Sequence, residues 1–354
     1  MAYTTINKST AHFNTKLYTG NGSTSHGITG VGFKPDWVWI KNRSNSYNNA
    51  FYDAVRGVTK FISSNNPNDE ETNANELTAF GADGFTTSNA DRTNKNNDSF
   101  VSWNWKGGTT SGLSGGSITP SGYSYNATSG FGVYKYTGNG SNATITHGLG
   151  KVPQLVIIKR LNADEDWCVF TYDVTVAYNN AYNYLELNTT VAKTGDGGAR
   201  WGVYQNFNAN TFGIGTDNGT NANGSTYVAY VFTSIQGFSK VGKYVGTGSA
   251  TASPFIYTGF KPAFVMAKKT NEANTAWIIL DNKRANSSNP IGVRMFANLN
   301  ATESTSSNYC DFLSNGFKFR TTDNNANDTN DNYIYMAFAE APLVGTNNVP
   351  ATAR

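Results

Sequence analysis

Apolar residues along this chain fall in short runs closed off by Gly, Asn and Asp, and no stretch sustains a helical period. Runs of that kind predict strands joined by turns. Three of the most apolar read Trp37-Val-Trp-Ile40, Leu155-Val-Ile-Ile158 and Phe264-Val-Met266, each just beyond a proline at Pro35, Pro153 or Pro262. With both faces apolar, each predicts a central strand covered on two sides. The prolines, having no N–H, are expected at strand entries and not in mid-ladder.

These runs belong to an internal triplication. Tyr18-Thr-Gly-Asn-Gly-Ser23 returns as Tyr136-Thr-Gly-Asn-Gly-Ser141 and, more loosely, as Tyr244-Val-Gly-Thr-Gly-Ser249. Each is followed by a proline block: Gly32-Phe-Lys-Pro-Asp-Trp-Val38, Gly150-Lys-Val-Pro-Gln-Leu-Val156 and Gly259-Phe-Lys-Pro-Ala-Phe-Val265. Then come an acidic residue at a strand end (Asp53, Asp173, Asp281), an aromatic after a turn (Phe85, Phe212, Phe317) and a closing strand. The closing strand reads Phe100-Val-Ser-Trp-Asn-Trp105, Tyr227-Val-Ala-Tyr-Val-Phe232 and Tyr335-Met-Ala-Phe-Ala-Glu340; aromatics three apart predict a bulge or two buried faces.

The fold class that follows is all-β: three tandem homologous β-sandwich domains of jelly-roll or lectin-like type. The map is an N-terminal arm at 1–10, repeat 1 at 11–108, a Gly/Ser/Thr-rich linker at 109–128, repeat 2 at 129–238, repeat 3 at 239–342 and a tail at 343–354. The second junction, Ile235-Gln-Gly-Phe-Ser-Lys240, is tight and the first is long, so repeats 2 and 3 are expected as a rigid pair and repeat 1 as free to swing.

Composition narrows the function. Charged residues reach only 14% against about 25% in ordinary globular proteins, so neutral polar groups cover the surface. A net charge of +3, scattered and not gathered into a stripe, argues against nucleic acid. No apolar run is long enough to span a bilayer, and the first residues lack a signal-peptide pattern, so membrane insertion and signal-directed export are not expected. Cys168 and Cys310 sit at non-matching places and read as free thiols.

Candidate chemistry is sparse. Tyr-Thr-Gly-Asn-Gly-Ser lacks the Gly-Lys-Ser/Thr ending of a phosphate loop and reads as a hairpin turn. His12, His26 and His147 form no zinc pattern, and no Gly-x-Ser-x-Gly elbow is present, so no catalytic, cofactor or metal site is assigned. The recurring Asp53, Asp173 and Asp281, with Arg56 and Arg284 three residues after the first and last, are candidate ligand-binding or structural carboxylates. Trp37, Trp39 and Trp103 match apolar residues in the other repeats and read as core. Trp105 aligns with Glu340 and is expected at the surface, where its ring could stack on a sugar.

The Tyr-Thr-Gly-Asn-Gly-Ser strings, Gly259-Phe-Lys-Pro-Ala-Phe-Val-Met266, Asp311-Phe-Leu-Ser-Asn-Gly-Phe317 and Tyr335-Met-Ala-Phe-Ala-Glu-Ala-Pro342 resemble a repeat of tailed-bacteriophage structural proteins, notably marine ones, described as lectin/glucanase-like. The resemblance spans about Phe13 to Leu343. It implies a non-enzymatic virion protein, a tail-fibre or other surface appendage that contacts the host envelope, with host surface glycans and other virion proteins as partners. A homo-oligomer, with a trimer favoured, is the implied assembly, placed on the virion surface after synthesis in the host cytoplasm. A capsid decoration protein is the alternative, and an envelope-polysaccharide glycosidase a third reading.

Overall fold

The computed structural model describes residues 3–172, 183–203, 206–284, 288–345 and 350–352, and almost every regular element in it is a strand. In each repeat four antiparallel strands form an inner sheet in the same order. An opening strand (Phe13–Thr19, Phe131–Thr137, Ser239–Val245) pairs with the closing strand (Ser99–Trp105, Thr226–Phe232, Asn332–Pro342). The closing strand pairs with the central strand (Trp37–Asn42, Leu155–Arg160, Phe260–Lys269), and that with a return strand (Ala50–Asp53, Cys168–Thr171, Ile278–Asp281). An outer layer covers one face, built on a crossing strand (His26–Thr29, Ala143–Thr146, Phe255–Tyr257) paired with an outer strand (Gly84–Thr87, Thr211–Ile214, Gly316–Phe319). Each repeat therefore has two β layers, which gives the chain its sandwich character. In the third, Ile291–Phe296 and Ser304–Leu313 join the two layers into one eight-stranded sheet that is nearly a barrel.

The central strands of repeats 1 and 2 lie two residues beyond Pro35 and Pro153, while Pro262 sits at a register shift, so none of the three interrupts a regular ladder. The first central strand is buried along its whole length, with two faces doing different work. Val38 and Ile40 pack with Phe100, Ile28 and Phe85 inside repeat 1. Trp37, Trp39, Trp103 and Trp105 point the other way, into a core that also takes residues from repeats 2 and 3. The unusual aromatic spacing of the closing strand thus reflects two buried faces; its ladders in repeat 1 are unbroken.

That common core is organised about a pseudo-threefold axis. Phe13, Phe131 and Ser239 pair with Trp105, Phe232 and Phe338, which makes the last three equivalent. Their rings form a triangle, with centroids 6.5 Å apart for Trp105–Phe232, 5.7 Å for Trp105–Phe338 and 6.0 Å for Phe232–Phe338. Two expectations change here. Trp105 corresponds to Phe338 and not to Glu340, and it is buried, 1% exposed. Repeat 1 does not swing, because it is packed against both of the others. The stretch expected as a linker is also partly structured: Gly122–Asn126 is a strand on the free edge of the repeat 2 opening strand.

The Tyr-Thr-Gly-Asn-Gly-Ser segments are not two-residue hairpins. Each carries the chain from an opening strand in the inner sheet to a crossing strand in the outer layer. One asparagine per repeat clamps it. Asn94, Asn221 and Asn327 accept from the N–H of Asn21, Asn139 and Thr247 at 2.9, 2.8 and 2.9 Å, and donate to the carbonyls of Ser23, Ser141 and Ser249. The first glycine is required by close approach: a Cβ on Gly20, Gly138 or Gly246 would lie 2.1, 2.4 or 2.1 Å from a backbone oxygen of the opposing loop.

Candidate functional site

The recurring carboxylates lie at the seams between repeats. Asp53 is fully buried; its Oδ2 accepts from Arg56 Nε at 2.5 Å and from Tyr230 of repeat 2 at 2.8 Å. Asp281 is held the same way, by Arg284 Nε at 2.6 Å and by Trp103 Nε1 of repeat 1 at 3.0 Å. Arg56 also donates to Phe51 O and Arg284 to Ile279 O, so each guanidinium is anchored within its own hairpin. A charge pair hidden this completely offers no surface to a ligand; it fixes the seam.

Asp173 lies outside the described residues. The ladder shows that it is not the counterpart of the other two: Trp37 pairs with Asp53 and Phe264 with Asp281, whereas Leu155 pairs with Thr171. At the repeat 2/repeat 3 seam the residue equivalent to Tyr230 and Trp103 is Met336, which packs near Leu155, Met266 and Trp277. At this ladder position two seams therefore carry a buried carboxylate and the third a methionine.

Sequence reading missed a second recurrent group. Lys41, Lys159 and Lys268 occupy one ladder position on the central strands and are fully buried. Lys41 donates to Tyr47 O at 2.8 Å and across the seam to Asn300 O at 3.1 Å. Lys268 donates to Thr275 O at 2.8 Å and across its seam to Thr190 O at 3.4 Å. The signal was available, since a lysine ends each apolar run.

Burial pushes these ammonium groups down to about 8 for Lys41, about 8 for Lys159 and about 7 for Lys268. Because the unfolded chain keeps its lysines charged to near 10.5, it binds more protons than the folded chain between about 7 and 10, and stability rises with pH across that window. Buried tyrosines such as Tyr134 and Tyr136, pushed above their ordinary value by desolvation, reverse the trend above about 10. Urea unfolding at a series of pH values should show maximal stability between about 9 and 10, with a smaller rise in Lys268→Met. A flat or falling profile from 7 to 9 would contradict the assignment.

Glu272, Asp328 and Asp331 gather their carboxylates as a metal site would, but Lys269 Nζ stands among them, 2.5 Å from Glu272, 3.1 Å from Asp328 and in close contact with Asp331. The ammonium is the cation of that cluster.

The outward corners are different. On repeat 1 a cleft of about 290 Å³ is lined by Tyr47, Asn48, Asn73, Asn75, Asp91 and Arg92, with Glu76 at its base. Tyr47 donates to Asp91 at 2.8 Å and Arg92 pairs with Glu76 at 2.9 Å while covering the ring of Phe61. Burial pushes the Glu76 carboxyl up, against the opposing pull of Arg92. Arg200 is stacked over Tyr184 beside Asp217 in repeat 2, and Arg294 over Tyr309 beside Asp323 in repeat 3. These arginines come from non-equivalent sequence positions, which hides the likeness from a motif search. Amides, a phenol, a carboxylate and a guanidinium around an open cleft match the alternating donors and acceptors of a polyhydroxylated ligand.

The sheets and seams define a class: an all-β protein whose three repeats share one core. The chain belongs to the family described as a domain of unknown function, DUF7483, whose model matches residues 8–342 and so spans all three repeats as one unit. No curated protein matches it.

Proposed function

We propose that this is a non-enzymatic bacteriophage virion protein, a tail-fibre or other surface-appendage subunit that touches the host envelope through its glycans. The observation that carries the reading is the amide-rich cleft at the corner of repeat 1, and the other two repeats each hold an arginine, aromatic and carboxylate cluster of their own. An open polar cleft of this kind favours weak contacts made together, where avidity supplies what a single site lacks. A homotrimer of the chain would multiply them again.

The decoration alternative needs termini free to dock on a capsid. Here Tyr3 donates to Gly259 O and Thr4 donates to Gln236 O, so these two residues of the arm already lie against repeat 3 and the junction before it. The glycosidase reading has less support, since Glu76 in the cleft is already engaged by Tyr52 and Arg92.

Purified chain applied to immobilised host envelope polysaccharide should bind with weak per-site affinity, on the order of millimolar. Asp91→Ala and Asn75→Ala should each lower retention, and no new reducing ends should form. Antibody labelling should find the protein on the particle surface. Labelling confined to the particle interior, or robust polysaccharide turnover, would overturn the proposal.

A further inference from the structure

The three opening strands are equivalent but their outer edges are not. In repeat 2 that edge is filled: Gly122–Asn126 pairs with it, Gly122 opposite Lys135 and Asn126 opposite Phe131. The added strand lies in a groove whose far wall is repeat 1, where Ser124 Oγ donates to Asp36 at 2.7 Å and Gly122 lies beside Val55. In repeat 1 the matching edge, Phe13 to Leu17, has no strand on it among the described residues.

A groove remains there, and its far wall is the same surface of repeat 3. Counted from the shared prolines and aspartates, Ala263 and Lys283 stand where Asp36 and Val55 stand in the filled groove. Two adjoining hollows of about 310 and 30 Å³ run along Phe13, Asn14, Thr15, Lys16 and Leu17. Alternation along the ladder sets which backbone groups face them. The carbonyls of Asn14 and Lys16 turn towards the closing strand, where Asn104 Nδ2 and Ser102 Oγ reach them at 3.0 and 3.5 Å. Those of Thr15 and Leu17 therefore face outward, as Lys135 O does in repeat 2, where it accepts from Ser121 N–H at 2.7 Å.

Two buried polar atoms point to a missing partner as well. Thr15 and Asn282 line the groove at 6% and 2% exposure, yet Thr15 Oγ1 and Asn282 Oδ1 have no hydrogen-bond partner among the described residues. The charge of the groove selects the partner. Lys16 and Lys283 both line it. The acids nearby are already engaged: Glu340 by Asn282 and Lys261, Asp83 by the N–H groups of Gly30 and Gly32. In the chain's own arm, Tyr3 and Thr4 are bound elsewhere, at Gly259 and Gln236, and Thr10 closes one end of the smaller hollow.

We propose that the free edge of the opening strand of repeat 1 is a strand-addition site for an extended, acidic segment of a partner polypeptide, seated as Gly122–Asn126 is seated on repeat 2. Backbone hydrogen bonds to Thr15 and Leu17 supply affinity, and Lys16 with Lys283 supplies the preference for acidic side chains.

The probe is a synthetic peptide with the sequence of residues 119–128, unmodified or carrying Y123E, which places a carboxylate opposite Lys16 in the matching register. Fluorescence anisotropy with the full chain should show the Y123E peptide binding about tenfold more tightly, about 1.4 kcal/mol. Lys16→Glu should abolish that preference, and Thr15→Pro, which removes an outward N–H at an edge where proline is tolerated, should abolish binding. The amides of Thr15 and Leu17 should exchange quickly in the free chain and become protected when peptide is added. Absence of binding, or binding indifferent to both substitutions, would overturn the proposal. So would protection of the two amides that grows with protein concentration, since the occupant would then be a second copy of this chain.

Discussion

Asp53→Ala should lower stability by about 3–5 kcal/mol, because it takes the Nε partner from the fully buried Arg56 guanidinium and leaves it, as counter-charge, only the Glu70 carboxylate at 3.3 Å. Arg56 Nε lies 2.5 Å from the lost carboxylate, and Tyr230 loses its acceptor in the same step. The loss is electrostatic more than steric, which makes it separable. Tyr230→Phe removes one hydrogen bond to a charged group and should cost only about 1.5–3 kcal/mol. The double variant Asp53→Ala/Arg56→Met should recover much of the single loss, since removing both charges leaves no uncompensated ion. Urea midpoints of these proteins, with Arg56→Met completing the cycle, settle it. A double variant as unstable as the sum of its parts would show that the pair acts by packing alone.

Trp105→Ala should cost about 3–5 kcal/mol and loosen all three repeats together. Its ring lies 4.1 Å from that of Trp37, 5.9 Å from Phe264 and 5.7 Å from Phe338, so the cavity opens where the three inner sheets meet. Trp105→Phe should be far milder, about 1.5 kcal/mol or less. Phenylalanine already serves at the equivalent positions, Phe232 and Phe338, and the Trp105 indole N–H has no partner among the described residues. Native-state hydrogen exchange distinguishes the shared core from three separate ones. In Trp105→Ala the closing strands of repeats 2 and 3 should lose protection along with that of repeat 1. Protection lost in repeat 1 alone would mean that the repeats unfold independently.

Much of the architecture was legible because it rests on local chemistry. Short apolar runs bounded by Gly and Asn made strands, the prolines marked entries or a bulge, and an apolar pattern on both faces of Trp37-Val-Trp-Ile40 meant cover on both sides. Which partner supplies the second cover is not written in that pattern. The sheet of repeat 1 finds it in repeats 2 and 3, so a face that reads as the core of its own domain belongs to a core shared by three.

The errors of register have one physical cause. Side chains on a strand alternate with period two, so sliding an alignment by two residues leaves every side chain on its original face. Placing Asp173 beside Asp53 and Asp281, and Tyr335 beside Phe100 and Tyr227, were slips of that kind; the backbone ladder puts Thr171 and Tyr333 there instead. Hydrophobic pattern cannot detect such a slip, and only hydrogen-bonded pairing does. From the second slip came the expectation that Trp105 is exposed.

The sequence by itself determined that this chain is all-β and threefold repeated, because strand periodicity and turn chemistry act over a few neighbouring residues. Tertiary structure alone decided the rest. It turned Asp53 and Asp281 into seam ions, buried three lysines against the carbonyls around them, and, among the described residues, put a strand on the opening edge of repeat 2 and none on that of repeat 1. These outcomes depend on contacts between residues 78 to 259 apart in the chain, and no local pattern encodes which repeat will stand against which.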